Sequence, residues 1–389
     1  MGKKGCTPRD CTLFCWKMAV KVREIKNWLE TRFPPRWAES WDHIGLQTGN
    51  PEQWVERMGI SLEATPQSVS WAIQNNLQLI LCHHPLFFTP IVSLETSREP
   101  GRTAAQLIKA DLALLVAHTN LDAAPEGVST ALARRLGLGN LRPLEKRLEE
   151  KVKVVVFIPS GYEETITEAL GRLESGRIGP YRLCTFKCRG EGTFIPEEGS
   201  HPFQGETGRL QRVSEWRLEI LTDKAGVGEL IKTIRLVHPY EEMAYDVYPV
   251  ENPSAQVGIG RVGEFVPPIP GEELLRRLKV AAEAPQLKIS GEIPPKVQKI
   301  AVCGGSAGSV IPAALSAGAE VLVCGEIGYH PIVSNQGYGV TFIEIGHYHS
   351  EKWMIPMLAE MLRESGRIEG WGIEVFENRE TGDPYSHFF

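Results

Sequence analysis

Apolar residues at Val22, Ile25, Trp28 and Leu29 recur three or four apart, which predicts an amphipathic helix across Val20–Phe33. The next signal has a different grammar. Leu77–Leu81 is a short apolar run that stops at Cys82-His83-His84-Pro85 and predicts a buried strand. A helical pattern near Ala104–Ala110 leads into a second such run, Leu112–Ala117, which stops at His118. Strand, helix, strand in this order predicts parallel pairing in a sheet covered by helices.

A charged stretch, Leu144–Lys151, marks a boundary, and beyond it the pattern changes. Strands are predicted at Val152–Ile158, Leu183–Lys187, Val213–Leu221 and Ala244–Val250, with helices at Glu163–Leu173 and Gly226–Val237. That β-α-β-β-α-β order is the ferredoxin-like arrangement. After the linker Glu251–Gln256 the first grammar resumes. A helix is predicted at Leu274–Leu278 and a strand at Lys299–Cys303. The turn Gly304-Gly305-Ser306 then leads to a helix near Ile311–Ala317. Strands follow at Val321–Cys324 and Val340–Ile345, and a last helix covers Ser350–Glu364, irregular at Pro356. The expected architecture is a discontinuous α/β core, residues 18–148 and 251–389, interrupted by a ferredoxin-like insert at 149–250. Residues 1–17 read as a leader, disordered or a start-site artefact.

Length and composition fit this division. A chain of 389 residues exceeds one ordinary core, and 42% hydrophobic with 23% charged residues is ordinary globular usage. The net charge of -6 removes the basic footprint of nucleic-acid binders. The longest uncharged stretch, Ile300–Ala319, is rich in glycine and serine and holds Pro312, so no membrane span is expected. Cys82, Cys303 and Cys324 sit inside apolar runs and read as buried free thiols of a cytoplasmic protein. Cys6, Cys11 and Cys15 lack a fourth partner for a zinc site.

Three clusters carry candidate chemistry, each just after a strand that reads as buried, where α/β sheets gather ligands. His83-His84 can face one site only where Pro85 breaks the strand; a metal pair or a structural pair both fit. In His118-Thr119-Asn120-Leu121-Asp122, the aspartate is a ligand or a helix cap. His118 is a ligand, a donor behind the ligands or a substrate contact. In His347-Tyr348-His349-Ser350-Glu351, Ser350 reads as an N-cap, with His347 and Glu351 as loop and helix-start neighbours. All three are expected to end strands of one sheet, and together they supply enough nitrogen and oxygen ligands for two divalent ions. Such ligands suit zinc, iron, manganese, cobalt or nickel. Gly304-Gly305-Ser306 reads as a tight turn, with a phosphate cradle as the alternative. Glu326 and His330, in GEIGYH after another strand, line the same cleft or pack beside it.

The segments WDHIGLQTG (41–49), LCHHPLFF (81–88), AHTNLD (117–122), VCGGSAGS (302–309), GEIGYH (325–330) and GHYHSEK (346–352) resemble the NGG-interacting factor three-like family, also called GTP cyclohydrolase 1 type 2 homologs. The resemblance implies a dinuclear metal site made by His83, His84, Asp122, His347 and Glu351, with Glu351 bridging. It also implies ring-like homo-oligomers, a hexamer. Residues 188–208 and 238–249 make the insert resemble PII-like or CutA-like units. His43 stands where the family commonly has Asn after Asp42, which leaves both residues open as site-lining groups.

Two functions follow as expectations. One is a metal-dependent hydrolase acting on a nucleotide or phosphoester, with His118, Glu326 and His330 as candidate catalytic residues. The other is a metal-handling or regulatory oligomer that senses a small effector through the insert. Neither requires nucleic acid or a membrane.

Overall fold

In the computed structural model, which describes residues 19–380 and 382–385, the two apolar runs become the strands Leu79–Cys82 and Ala113–Val116, every residue of which is buried. They pair in parallel with each other, and Leu79–Cys82 also pairs in parallel with Arg57–Ser61. A five-stranded sheet results, in the order Glu374–Glu377, Arg57–Ser61, Leu79–Cys82, Ala113–Val116, Gly45–Thr48, the last strand antiparallel. Alternation decides its two faces. Leu79 and Leu81 pack with Ile25, Leu29 and Leu358 of the helices Val22–Arg32 and Met354–Glu369. Ile80 and Cys82 pack with Trp71 and Leu107 of the helices Pro66–Gln74 and Gly101–Lys109.

The clusters do not end one sheet, as the sequence reading expected. A second, six-stranded sheet runs Lys288–Ser290, Thr341–Glu344, Val321–Glu326, Lys296–Ser306, Pro253–Pro270, Gly139–Leu148. The two pairings among Thr341–Glu344, Val321–Glu326 and Lys296–Ser306 are parallel. His83, His84 and His118 follow strands of the first sheet, and His347 follows a strand of the second. Short apolar runs reveal that a strand is buried but not which sheet receives it, which is why the two were merged.

Several elements begin or end elsewhere than expected. The charged boundary expected at Leu144–Lys151 overlaps the strand Gly139–Leu148, and the linker expected at Glu251–Gln256 overlaps the strand Pro253–Pro270; both strands belong to the second sheet. The final segment is two helices. Gly346, at φ 90, turns the chain directly after Thr341–Glu344 and starts a short helix, His347–Glu351, before Met354–Glu369. Ser350 is therefore inside that helix rather than capping one, and His347 and Glu351 share a helical turn. Pro356 is the third residue of Met354–Glu369, where a missing N–H breaks no helical bond.

The chain divides into two compact units, Leu148–Ser254 and the remainder. Leu148–Ser254 holds an antiparallel four-stranded sheet in the order Tyr245–Pro249, Lys151–Pro159, Gln211–Asp223, Thr185–Phe194, with the helices Glu163–Leu170 and Val227–Arg235 packed on it. Cys82, Cys303 and Cys324 are buried and free. The leader expected at 1–17, with its three cysteines, lies outside the described residues. Among those described, no helix is long and apolar enough to cross a membrane.

One buried cation ties the second sheet to the segments that follow His118. Arg261, only 2% exposed, donates to Thr130 Oγ1 at 2.8 Å, to Gly258 O and Gly260 O at 2.7 and 2.6 Å, and to Ala124 O. Burial pulls its guanidinium down to about 10, still charged at neutral pH. Four neutral acceptors arranged around a planar fork cannot be served by an ammonium. Arg261→Lys is expected to lower stability by about 2–4 kcal/mol, read as a fall in the urea midpoint, since buried acceptors lose their donors. An unchanged midpoint would show that the guanidinium is not holding this junction.

Candidate metal centre

The strand Leu79–Cys82 delivers His83 and His84, and Ala113–Val116 delivers His118 and the short helix Thr119–Ala123 with Asp122. The second sheet delivers His347 and Glu351 on one helical turn, and Glu326 at the end of Val321–Glu326. All five residues that the resemblance assigned to metal come together. His83 Nε2 lies 3.6 Å from Asp122 Oδ1 and 3.9 Å from Glu351 Oε1. His84 Nε2 and His347 Nε2 each lie 3.2 Å from Glu351 Oε2. Two groups offer ligand atoms mutually within 4.8 Å, His83-His84-His118 and His84-His347-Glu351.

The imidazoles share one arrangement. Nδ1 of His83 faces Ala117 O at 2.9 Å, Nδ1 of His118 faces Asp42 Oδ1 at 2.9 Å, and Nδ1 of His347 faces Glu326 Oε1 at 3.2 Å. Nδ1 of His84 lies 3.5 Å from Glu63 Oε1. An acceptor at Nδ1 fixes the tautomer that leaves the Nε2 lone pair for a ligand, and this is how metal-bound histidines are oriented. His83 Nε2 and Glu351 Oε2 are buried without a hydrogen bond. Oε2 has two ring nitrogens at ion-pair distance, yet neither is aligned to donate to it. Donor atoms that crowd together without bonding to one another fit a shared cation.

The electrostatics carry the same message. Burial works against ionisation of Glu351, but pairing with His347 and His84 overrides it and holds the carboxyl far below its ordinary range. Burial lowers His84, and Glu351 and Glu63 outweigh it, raising His84 to about 10. Glu351 lifts His347 to about 9 against the effect of burial. Burial drives His83 down to about 3, and burial together with Glu351 pushes Asp122 well above the carboxylate range. Without an ion, the centre balances Glu351 with protons on His84 and His347.

Glycines make room for Glu351. A Cβ on Gly305 would strike the Glu351 carboxylate and, on Gly325, would meet Gly305 O at 2.6 Å and Ser350 Oγ at 2.7 Å. Gly304 and Gly305 are neither a tight turn nor a phosphate cradle: they lie in the strand Lys296–Ser306, at an irregularity in its pairing, and their N–H groups donate to Ser129 Oγ at 3.1 Å and Ser350 Oγ at 2.9 Å. Ser350 in turn donates to His347 O at 2.7 Å.

Sequence reasoning left Asp42 open and did not single out Glu63. Asp42 holds His118 and also accepts from Thr119 N at 3.0 Å and from Thr119 Oγ1. Burial raises its carboxyl, and these bonds bring it down to about 2. The signal for it was Asp42 in WDHIGLQTG, but a loop 76 residues from His118 gives no hint of contact. His43 bonds back to Asp42 Oδ1 through its own N–H and is not in either ligand group. His330, exposed on Tyr329–Ser334, stands edge-on to Tyr329 and also lies outside both groups. A cleft of about 700 Å³ opens beside His84 and His347, walled by Phe88, Tyr348 and Tyr385 and by the carboxylates Glu63, Glu99 and Glu326, with no lysine or arginine in its lining among the described residues.

This arrangement has relatives. A protein of Halalkalibacterium halodurans named GTP cyclohydrolase 1 type 2 homolog is 34% identical over 354 residues, 91% of this chain and 95% of that protein. One of the same name from Bacillus subtilis is 32% identical over 369 residues, 95% of this chain and 99% of that protein. Among solved structures, a Bacillus cereus protein related to NIF3 matches with a TM-score of 0.78 at 34% identity, covering 95% of this chain and 99% of that one. A Staphylococcus aureus protein matches with a TM-score of 0.79 at 27% identity, covering 95% and 99%. The family model described as Duf34/NIF3 (NGG1p interacting factor 3) spans residues 20–384, and the chain belongs to that family.

Proposed function

We propose that the chain is a metal-dependent hydrolase with a dinuclear centre, in which Glu351 bridges two divalent ions. The carrying observation is that the two Glu351 oxygens face different histidines, Oε1 toward His83 and Oε2 toward His84 and His347. His83 and Asp122 would hold one ion, His84 and His347 the other; zinc, iron, manganese, cobalt and nickel all suit the set. When bound, such a pair supplies an activated water and a clamp for the oxygens of a displacement.

The protein's own groups have separable tasks. Asp42 holds the His118 ring through Nδ1, which leaves Nε2 to take or give a proton at the reacting group. Glu326 and Glu63 orient His347 and His84. The acidic cleft favours a substrate whose single anionic group is taken by the ions. A phosphoester or a nucleotide of low charge suits it better than the triphosphate of GTP, despite the name carried by the relatives.

The remaining features of this reading are a cytoplasmic ring-like hexamer and a ferredoxin-like inner unit. The strand-helix-strand-strand-helix-strand order and the antiparallel pairing of Leu148–Ser254 support the latter.

Three outcomes are expected. Reconstituted protein should carry about two ions per chain. By metal analysis Glu351→Gln should lose both and Asp122→Asn about one; equal losses at matched stability would remove Glu351 as a bridge. Ion binding must displace the protons that His84 and His347 hold below pH of about 10 and 9. Affinity should therefore rise with pH from 6 to 8, by up to about a hundredfold per unit where two protons leave together. Chelator competition at several pH values measures this, and a flat profile contradicts it. Finally, His118→Ala should lower turnover of a phosphoester by about a hundredfold with both ions retained. Loss of an ion in that variant would place His118 among the ligands, and faster turnover of GTP than of any phosphoester would reject the low-charge substrate.

A further inference from the structure

The unit Leu148–Ser254 contains a cavity of about 360 Å³, within the range of small-molecule sites. It is built from the two segments that the metal centre leaves unused. Phe194 ends the strand Thr185–Phe194, and the loop that follows brings Phe203 back over it. Tyr240 comes from the turn after Val227–Arg235. The rings form a connected wall. Tyr240 lies 6.0 Å from Phe203 and 6.4 Å from Phe194, and Phe203 stands edge-on to Tyr162 at 5.7 Å. Phe157 lines the floor.

One carboxylate is deliberately admitted to this apolar space. Glu215 lies on the central strand Gln211–Asp223, where a Cβ on Gly192 of the neighbouring strand would collide with its carboxylate. Glycine there is what lets the side chain reach the cavity. Tyr240 Oη donates to Glu215 Oε1 at 2.9 Å, which anchors one oxygen; among the described residues Oε2 receives no hydrogen bond. Glu241 and Glu242 add two more carboxylates at the rim. No lysine or arginine lines the cavity. The imidazole bonded to Tyr240 N is neutral by its bonding. His238 Nε2 donates to Phe157 O at 2.9 Å, while Nδ1 accepts from Tyr240 N at 3.2 Å, so it has no place for a second proton.

Aromatic faces around an uncompensated carboxylate attract positive charge twice over, through the ring quadrupoles and through the carboxylate. A hydrated metal ion would gain little from the rings and needs more oxygen ligands than they leave. We propose that this cavity binds a small organic cation, an alkylammonium or guanidinium, with its charge at Glu215 and its carbon frame against Phe194, Phe203 and Tyr240. The site is separate from the metal centre and stands or falls independently of it.

The test is calorimetry and saturation-transfer NMR on the full chain. Butylammonium, tetramethylammonium and butylguanidinium are the probes, with 1-butanol and butyrate as neutral and anionic counterparts. The cations should bind at least about tenfold more tightly than either counterpart. Glu215→Gln should weaken the cations about tenfold and leave butanol unchanged, and Phe203→Ala should weaken tetramethylammonium about threefold to tenfold. Should Glu215→Gln disturb folding, the exposed pair Glu241→Gln and Glu242→Gln must shift cation affinity in the same direction. Cations that bind no better than butanol, or undiminished binding in the folded glutamine variants, overturn the proposal. Metal content in every variant should stay that of the parent.

Discussion

Everything at the candidate centre depends on keeping one carboxylate ionised inside the protein. Glu351 is 3% exposed, and an unpaired buried carboxylate would take up a proton or unfold its surroundings. Its place is made by Gly305 and Gly325, whose lack of side chains allows two strand ends of the second sheet to close around it. Its charge is balanced from the first sheet by His84 and from its own helical turn by His347, with the neutral His83 ring beside its other oxygen. The carboxylate therefore joins two sheets that otherwise have separate cores. Nothing apolar could replace it without leaving three imidazoles unmatched.

The histidines in turn need fixed directions, and the protein supplies these from outside the cluster. A backbone carbonyl holds His83, and carboxylates hold His118 and His347. Each tether lies on a different element: the residue after a strand, the loop at 42, and the end of Val321–Glu326. A ring held at Nδ1 by a rigid acceptor loses little further freedom on taking up a ligand. The sheets carry the rings to the spot, but these outer partners decide which nitrogen faces inward.

Much of this was legible in the residues, for reasons that also mark the limit. Runs such as Leu79–Cys82 and Ala113–Val116 are buried on both faces, so they lack polar alternation and stand out, and the residues that end them stand out with them. Edge strands did not. Gly139–Leu148 is mostly exposed and rich in charge, and its second half fell within the boundary expected at Leu144–Lys151 because burial in the strand is confined to Leu144 and a neighbour. Arg57–Ser61 has Gly59 at its centre, where Trp71 and Leu77 fill the missing side chain's space; a glycine in a short run weakens the strand signal. Sheet membership was illegible because it rests on pairing partners far along the chain. The tether between Asp42 and His118 was missed for the same reason.

The charge balance narrows what the centre can recognise. Two divalent ions would face the carboxylates of Asp122 and Glu351 directly and those of Asp42, Glu63 and Glu326 behind the rings. Five carboxylates against two divalent ions leave no surplus positive field. A triphosphate brings several negative charges and needs cations along its length, which the lining lacks. With ions bound, an anionic group on them would meet the strongest positive charge at the centre, and the neutral remainder of the substrate would meet Phe88, Tyr348 and Tyr385. On the proposed reading, the same outer carboxylates that orient the histidines would also select against highly charged substrates.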